Sequence, residues 1–285
     1  MTTLITGSTG KVGSRFARRM LATGEPVRLL VRDKSSVAAL EERGAETAVA
    51  DLRDEAAVRD ALTGVTGIVH IASSFRAWSP AQLSEVDIAG TENLAIAALD
   101  AGISRFVYTS TNMVYDGCDY GRPATEEDPV GTDLFSYPAA KAEAERRLRT
   151  LHQQRGLDLR IVRLAFVYGD GDPHVAEATA MLAPWPRHQR LTTVHHADVG
   201  QALLRALHAE GVAGRTYNLA DDAPMTAFEV YQLHGITLPE QAESADRSTG
   251  ANPWLHTVST ARIRRDLGFR PLYPTVASAA EAGAL

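Results

Sequence analysis

The sequence predicts an α/β fold, a doubly wound parallel sheet with a small C-terminal lobe, and three observations carry that reading. Short β-rich apolar runs alternate with helical patterns through the first two thirds of the chain, as in a parallel sheet covered on both faces. A glycine-rich turn follows the first of those runs directly. The last third is broken into short irregular pieces by prolines from Pro173 to Pro274.

Leu4 to Thr6 reads as the first strand, and Thr6-Gly7-Ser8-Thr9-Gly10-Lys11-Val12-Gly13 as the turn into an amphipathic helix from Val12 to Leu21. Val27 to Val31, Thr47 to Ala50, Ile68 to Ala72, Phe106 to Thr109 and Leu159 to Leu164 read as the next strands, with helices between them. A long helix runs from Tyr137 to about Arg155. Right-handed crossovers wind such a sheet outward from the first strand in both directions, leaving a crevice at the carboxyl ends of the strands. Further on, Leu191 to Val194 and Thr216 to Leu219 are β-like and return to the main sheet or its edge. Asp198 is placed to cap a helix from Val199 to Ala209. A last helix from about Ser259 ends at Gly268, with Arg264 and Arg265 where cations suit the helix dipole. The expected division is 1–170 in the sheet domain and 171–285 in a lobe that partly rejoins the sheet.

The 285 residues, 45% hydrophobic and 22% charged, are enough for one large core with a smaller lobe. A net charge of -6 with both signs interleaved argues against a nucleic-acid surface or a polybasic membrane patch. Cys118 is the only cysteine, so an intrachain disulfide and a cysteine zinc cluster are both excluded. Met1 leads straight into the first strand with no signal-like segment, and no run approaches a membrane span, so a cytoplasmic protein is expected.

The glycines of the first turn recur at every third position. Gly7 supplies the tight turn, Gly10 lets backbone approach a pyrophosphate, and Gly13 permits close packing of helix on strand, while the helix N-terminus offers N–H groups to phosphate. This pattern at the head of a βαβ series predicts a dinucleotide site of Rossmann type. Which dinucleotide turns on the end of the second strand. A carboxylate there suits the ribose 2′-hydroxyl of NAD, whereas a 2′-phosphate needs cations. Arg32 holds that position, Asp33 comes one residue late on the other face, and Lys34 follows. NADP(H) is therefore favoured and NAD(H) kept as the alternative. Asp51 and Leu52, past the third strand, lie where the adenine is touched in such folds.

Tyr137-Pro138-Ala139-Ala140-Lys141 opens the long helix and sets a phenol and an ammonium one turn apart on one face. An ammonium near a phenol favours the phenolate and tunes it for proton transfer. The fifth strand ends in the hydroxyl run Thr109-Ser110-Thr111, from which one group can hydrogen-bond a substrate oxygen as charge develops on it.

With these motifs the chain resembles the extended short-chain dehydrogenase/reductases, which include the NAD-dependent epimerase/dehydratases, over nearly its whole length. The first turn matches that group's Thr-Gly-x-x-Gly-x-x-Gly, and Tyr137 with Lys141 its Tyr-x-x-x-Lys. Val69 to Ala72 resembles the fourth-strand signature, Arg163 to Gly169 the segment lining the nicotinamide, and His195 to Val199 the His-x-x-Asp-Val stretch. The resemblance implies Thr111 as the catalytic hydroxyl, with Ser110 as fallback, Tyr137 as general acid/base, and Lys141 as its tuner and holder of the nicotinamide ribose. It adds Ala72, Ser73, Thr109, Leu164 and Val167 to the cofactor contacts, beside Gly7 to Gly13, and implies a homodimer. Val-Arg-Asp after the second strand is closest to the NADP-using flavonol-type carbonyl reductases of the group.

Two departures shape the functional expectation. Sugar-nucleotide dehydratases carry Asp-Glu after the catalytic threonine, where this chain has Asn112-Met113, and the stretch from Gly171 to Val194 is short. A compact small-molecule substrate and reversible hydride transfer to a carbonyl or from a secondary alcohol are expected. Epimerisation of a sugar derivative with NAD is the alternative enzyme reading, and an NADP(H)-sensing binding protein the alternative of another class. Arg187 and Arg190 remain candidates for a phosphate. Adjacent His195 and His196 face opposite ways if extended, which argues against a shared metal. Phe75 and Arg76 are candidate substrate contacts, while Trp78, Trp185 and Trp254 read first as packing residues.

Overall fold

A computed structural model describes residues 2–74, 80–103, 105–131, 134–237, 252 and 254–285, so Phe75, Arg76 and Trp78 lie outside the described residues. The strands are β1 Thr2–Thr6, β2 Val27–Val31, β3 Glu46–Val49, β4 Val65–His70, β5 Arg105–Thr111, β6 Leu159–Leu164, β7 Phe166–Tyr168, β8 Arg190–Leu191, β9 Thr193–His195, β10 Arg215–Leu219 and β11 Met225–Thr226. Seven of them form one parallel sheet in the order β10-β6-β5-β4-β1-β2-β3. The winding reverses between β1 and β4, the place where such sheets open a ligand crevice.

Alternation along the strands fills both faces. Ile5, Val69 and Val107 point into one core, with Phe16 and Met20 of the first helix and Val199 and Leu203 of the helix His196–His208. Their strand neighbours Leu4, Ile68 and Phe106 point into the other, against Leu94 and Leu148 from the helices Thr91–Asp100 and Ser136–Arg155. A third cluster, around Tyr168, Leu182, Leu191, Val230 and Val276, is the core of the lobe. No helix of the described residues is long and apolar enough to cross a membrane.

The β-like segment Thr216 to Leu219 does rejoin the sheet, as β10 beside β6. Leu191 to Val194 is instead split. Arg190–Leu191 pairs with Met225–Thr226, and Thr193–His195 pairs with Phe166–Tyr168. Asp198 is not a cap. The helix starts at His196 and is capped by the His195 side chain, which accepts from the Ala197 N–H at 3.0 Å. Asp198, wholly buried, accepts from the backbone N–H groups of Leu272 (2.6 Å) and Tyr273 (3.0 Å) and so holds the C-terminal segment.

Candidate active site

The glycine turn is built as its spacing requires. Gly7 has φ +74, and a Cβ there would lie 2.6 Å from the Ala72 nitrogen at the exit of β4. A Cβ on Gly13 would lie 2.1 Å from the Gly7 carbonyl oxygen, so the helix Lys11–Ala22 packs directly on the turn. Gly10 is the extended residue before that helix, and a Cβ there would lie 3.3 Å from the same oxygen. Thr9 and Gly10 are exposed, Lys11 and Val12 half-buried. Ser8 is buried, and its hydroxyl has no partner among the described residues. An orphaned hydroxyl beside a helix N-terminus, whose first-turn N–H groups lack intrahelical acceptors, fits a pyrophosphate.

Lys11 departs from the expectation, because its ammonium lies 2.5 Å from Asp172 and 3.4 Å from Glu177, both from the lobe. Asp172 in turn bonds His196 Nε2 at 2.9 Å, whereas His195 Nε2 donates to the Ala284 carbonyl at 2.8 Å, so the two histidines serve different partners. Beyond β2, Asp33 accepts from the Ser35 N–H and hydroxyl. Lys34 pairs with Glu41 at 3.1 Å. Asp51 takes hydrogen bonds from Arg53, which pull its carboxyl down to about 2, and Leu52 is buried against Gly90. Arg32 is exposed, with no hydrogen bond or ion pair among the described residues.

A buried hydrogen-bond chain with a definite direction links β1 and β4 to the helix Thr91–Asp100. The Thr6 hydroxyl accepts from the N–H groups of Ile71 and Ala72, each at 3.1 Å, so its proton is free for His70 Nδ1 at 2.7 Å. His70 Nε2–H then donates to the Thr91 hydroxyl (2.8 Å), which donates to the Asp87 carbonyl (2.8 Å). Burial, reinforced by the Lys141 charge, pushes His70 down to about 3, so the ring stays neutral as this chain requires.

Thr111 closes β5, is buried, and sits directly across the ladder from Leu164, the last residue of β6. Its hydroxyl oxygen accepts from the Met113 N–H at 3.2 Å, which leaves the hydroxyl proton free to donate. Ser110 is buried beside Glu145. Tyr137 lies half-buried in the first turn of the helix Ser136–Arg155. One turn on, the buried Lys141 donates to the Thr109 carbonyl at 3.2 Å and lies 4.9 Å from the Tyr108 ring and 6.0 Å from the Tyr137 ring. The Thr109 hydroxyl donates to the His70 carbonyl at 3.1 Å, and Val167 is buried in β7.

The acidity of the phenol runs against the expectation. Burial, then the Asp87 carboxylate, hold Tyr137 above the ordinary tyrosine value, and burial pushes Lys141 below the ordinary lysine value. At neutral pH the phenol is therefore protonated and able to donate. Asp87 is the residue that sequence reasoning missed. It is buried in a π-helical segment, Leu83–Gly90, and accepts from the Ser73 hydroxyl (2.5 Å), the Ser74 N–H (2.8 Å) and the Ser74 hydroxyl. Ser73, Thr109, Thr111 and Lys141 are thus gathered at the carboxyl edge, while the charges of Lys11 and Lys34 are engaged by other acids.

A family model described as NAD dependent epimerase/dehydratase family matches residues 3–220. Sterol demethylase protein B of Methylococcus capsulatus is 38% identical over 178 residues, 60% of this chain and 53% of that protein, so the match spans about half of that relative. The 4-hydroxy-2-methyl-3-oxo-4-farnesyl-3,4-dihydroquinoline-1-oxide ketoreductase of Stigmatella aurantiaca is 30% identical over 284 residues, 92% of this chain and 83% of that protein. Among solved structures, the dTDP-glucose 4,6-dehydratase DesIV of Streptomyces venezuelae superposes with a TM-score of 0.77 at 25% identity, over 99% of this chain and 95% of that one.

Proposed function

We propose, from the premise that the chain belongs to the NAD dependent epimerase/dehydratase family and is an NAD(P)-dependent enzyme of that kind, that it is an NADP(H)-dependent oxidoreductase acting on a carbonyl or secondary alcohol. The observation that carries this reading is the placing of Tyr137 and Lys141 one helical turn apart, with Lys141 fixed on the Thr109 carbonyl two residues before Thr111. The ketoreductase name of the Stigmatella relative supports the carbonyl.

The turn Gly7 to Gly13 holds the pyrophosphate on backbone N–H groups, with the Ser8 hydroxyl as a further donor. Arg32, which lies within electrostatic reach of Asp51 but forms no hydrogen bond or ion pair among the described residues, meets the 2′-phosphate, and Asp51 and Leu52 flank the adenine. A bound nicotinamide supplies or accepts the hydride at the substrate carbon. In the reducing direction Thr111 donates a hydrogen bond to the substrate oxygen, and Tyr137 delivers the proton that completes the alcohol. Lys141 holds the nicotinamide ribose and places a positive charge beside the phenol, which takes its next proton from solvent. Leu164 and Val167 close the apolar side.

Titration of the purified protein with NADPH and NADH by fluorescence, on wild type and Arg32→Glu, tests the cofactor. NADPH preference that reverses in the variant, followed by NADPH consumption with carbonyl substrates, is the expected result. Strong preference for NADH would overturn the NADP assignment, and copurified NAD without net turnover would favour epimerisation.

A further inference from the structure

The carboxyl edge of the sheet continues past the reacting strand. Thr111, Leu164 and Leu219 stand opposite one another across β5, β6 and β10, and Asn112 Nδ2 donates to the Leu219 carbonyl at 3.5 Å. Two strand spacings separate Thr111 from Leu219, about 10 Å. Just beyond Leu219 a cavity of about 420 Å³ opens, lined among others by Arg190, Thr192, Asp221, Asp222, Trp254 and Arg264. That volume is of the size that holds small molecules.

The charges around it do not balance. Asp222 and Arg264 form an ion pair with each other. Asp221 is almost wholly buried, and burial raises its carboxyl to about 7, so near neutrality it carries a fraction of a charge. Arg190 is half-buried, and its guanidinium has no hydrogen bond or ion pair among the described residues. A fork of donors, partly removed from water and unpaired, is matched in geometry and charge by an anionic oxygen group. Trp254, 40% exposed, adds a flat apolar wall.

We propose that this cavity receives the end of the substrate remote from the reacting carbon, a flat apolar body carrying a carboxylate or phosphate, with the anion on Arg190 and the body against Trp254. This rests on the oxidoreductase reading and names its substrate class. It replaces the expectation of a compact substrate with a molecule long enough to reach from β5 to β10, and it gives Arg190 and Trp254 roles in specificity.

The test compares NADPH-dependent reduction of 4′-acetylbiphenyl-4-carboxylate and its methyl ester, a rigid pair in which methylation removes the distal charge. Wild type should favour the acid in kcat/KM by about tenfold or more, Arg190→Met should lose the preference, and Arg190→Lys should keep part of it. Equal values for acid and ester in wild type, or an undiminished preference in Arg190→Met, overturn the proposal. Should neither ketone be reduced, binding of the acid decides the subsite, and the cofactor titration decides the oxidoreductase reading. Biphenyl-4-carboxylate should quench tryptophan fluorescence saturably in wild type, about tenfold more weakly in Arg190→Met, and without effect in Trp254→Phe. No saturable quench in wild type, or equal affinity in Arg190→Met, overturns it. Unchanged NADPH binding by each variant shows that the fold is intact.

Discussion

The ammonium of Lys141 lies 3.9 Å from the Asp87 carboxylate, with both side chains almost wholly removed from solvent. A negative charge in that position raises the pKa of every neighbour, and both Lys141 and Tyr137 feel it in that direction. Asp87→Asn should therefore move the basic limb of the kcat/KM profile to lower pH. The amide also replaces an acceptor at Ser73 and Ser74 with a donor that faces the Ser74 N–H, at a cost of about 1–3 kcal/mol. A pH profile superimposable on that of wild type would show that Asp87 braces the Ser73-Ser74 loop and nothing more.

Tyr137→Phe separates chemistry from binding. In the proposed reaction the phenol is the proton donor, whereas the glycine turn would hold the phosphates and Lys141 the ribose. Loss of a positioned general acid costs roughly 10²–10⁴ in rate. We expect kcat to fall by about that much while NADPH affinity, read by fluorescence titration, stays within about twofold. Retained turnover would remove Tyr137 from the reaction.

Much of the sheet was legible because its strands obey a simple rule. Leu4 and Ile5, or Phe106 and Val107, are apolar in succession, as two-sided burial demands, and each strand was found within a few residues of its expected place. The glycine turn was legible for a similar reason, since Gly7 and Gly13 each answer a local steric need. What stayed hidden depends on partners remote in sequence. Lys11 looks like a phosphate ligand until Asp172 and Glu177 are folded over it. Asp87 looks like a solvated helical carboxylate, because nothing in the sequence announces the widened turn of Leu83–Gly90, set where Gly90 meets Leu52 so closely that a Cβ would lie 2.9 Å from the Leu52 Cβ. Asp198 has the type and place of a helix cap, yet spends its carboxylate on backbone more than seventy residues later.

The glycine turn offers a paired test of packing against ligand approach. In Gly13→Ala the new methyl would meet the Gly7 carbonyl, a backbone atom that cannot step aside. Overpacking of this kind costs about 1–3 kcal/mol or more. At roughly 2–4 °C per kcal/mol for a chain of this size, thermal unfolding should show a loss of several degrees along with weakened cofactor binding. Gly10→Ala meets the same oxygen at 3.3 Å, a contact that a movement of a few tenths of an ångström relieves. It should melt within about 2 °C of wild type yet bind NADPH more weakly, because in the proposed site the backbone at Gly10 would lie against the pyrophosphate. Equal effects of the two substitutions on stability would contradict the distinct roles assigned to the two glycines.

Asp221 gives a stability prediction with a definite sign. Burial raises its folded-state pKa from 3.8 to about 7, the hydroxyl of Thr193 donating to it at 3.1 Å only partly offsetting that loss of water. The folded protein therefore binds more protons at this site than the unfolded chain between about pH 4 and pH 7, and stability must fall as pH rises through that window. The favourable contribution is complete below the unfolded pKa and is lost once pH passes the folded value. A tenfold difference in proton affinity between the folded and unfolded chain is worth about 1.4 kcal/mol, so the whole swing is on the order of 4 kcal/mol. In Asp221→Asn the side chain no longer titrates, yet its carbonyl can still accept from Thr193. The difference in melting temperature between the variant and wild type should move in the variant's favour by several degrees from about pH 5 to pH 8. A difference that stays constant across that range would mean that Asp221 keeps one protonation state throughout.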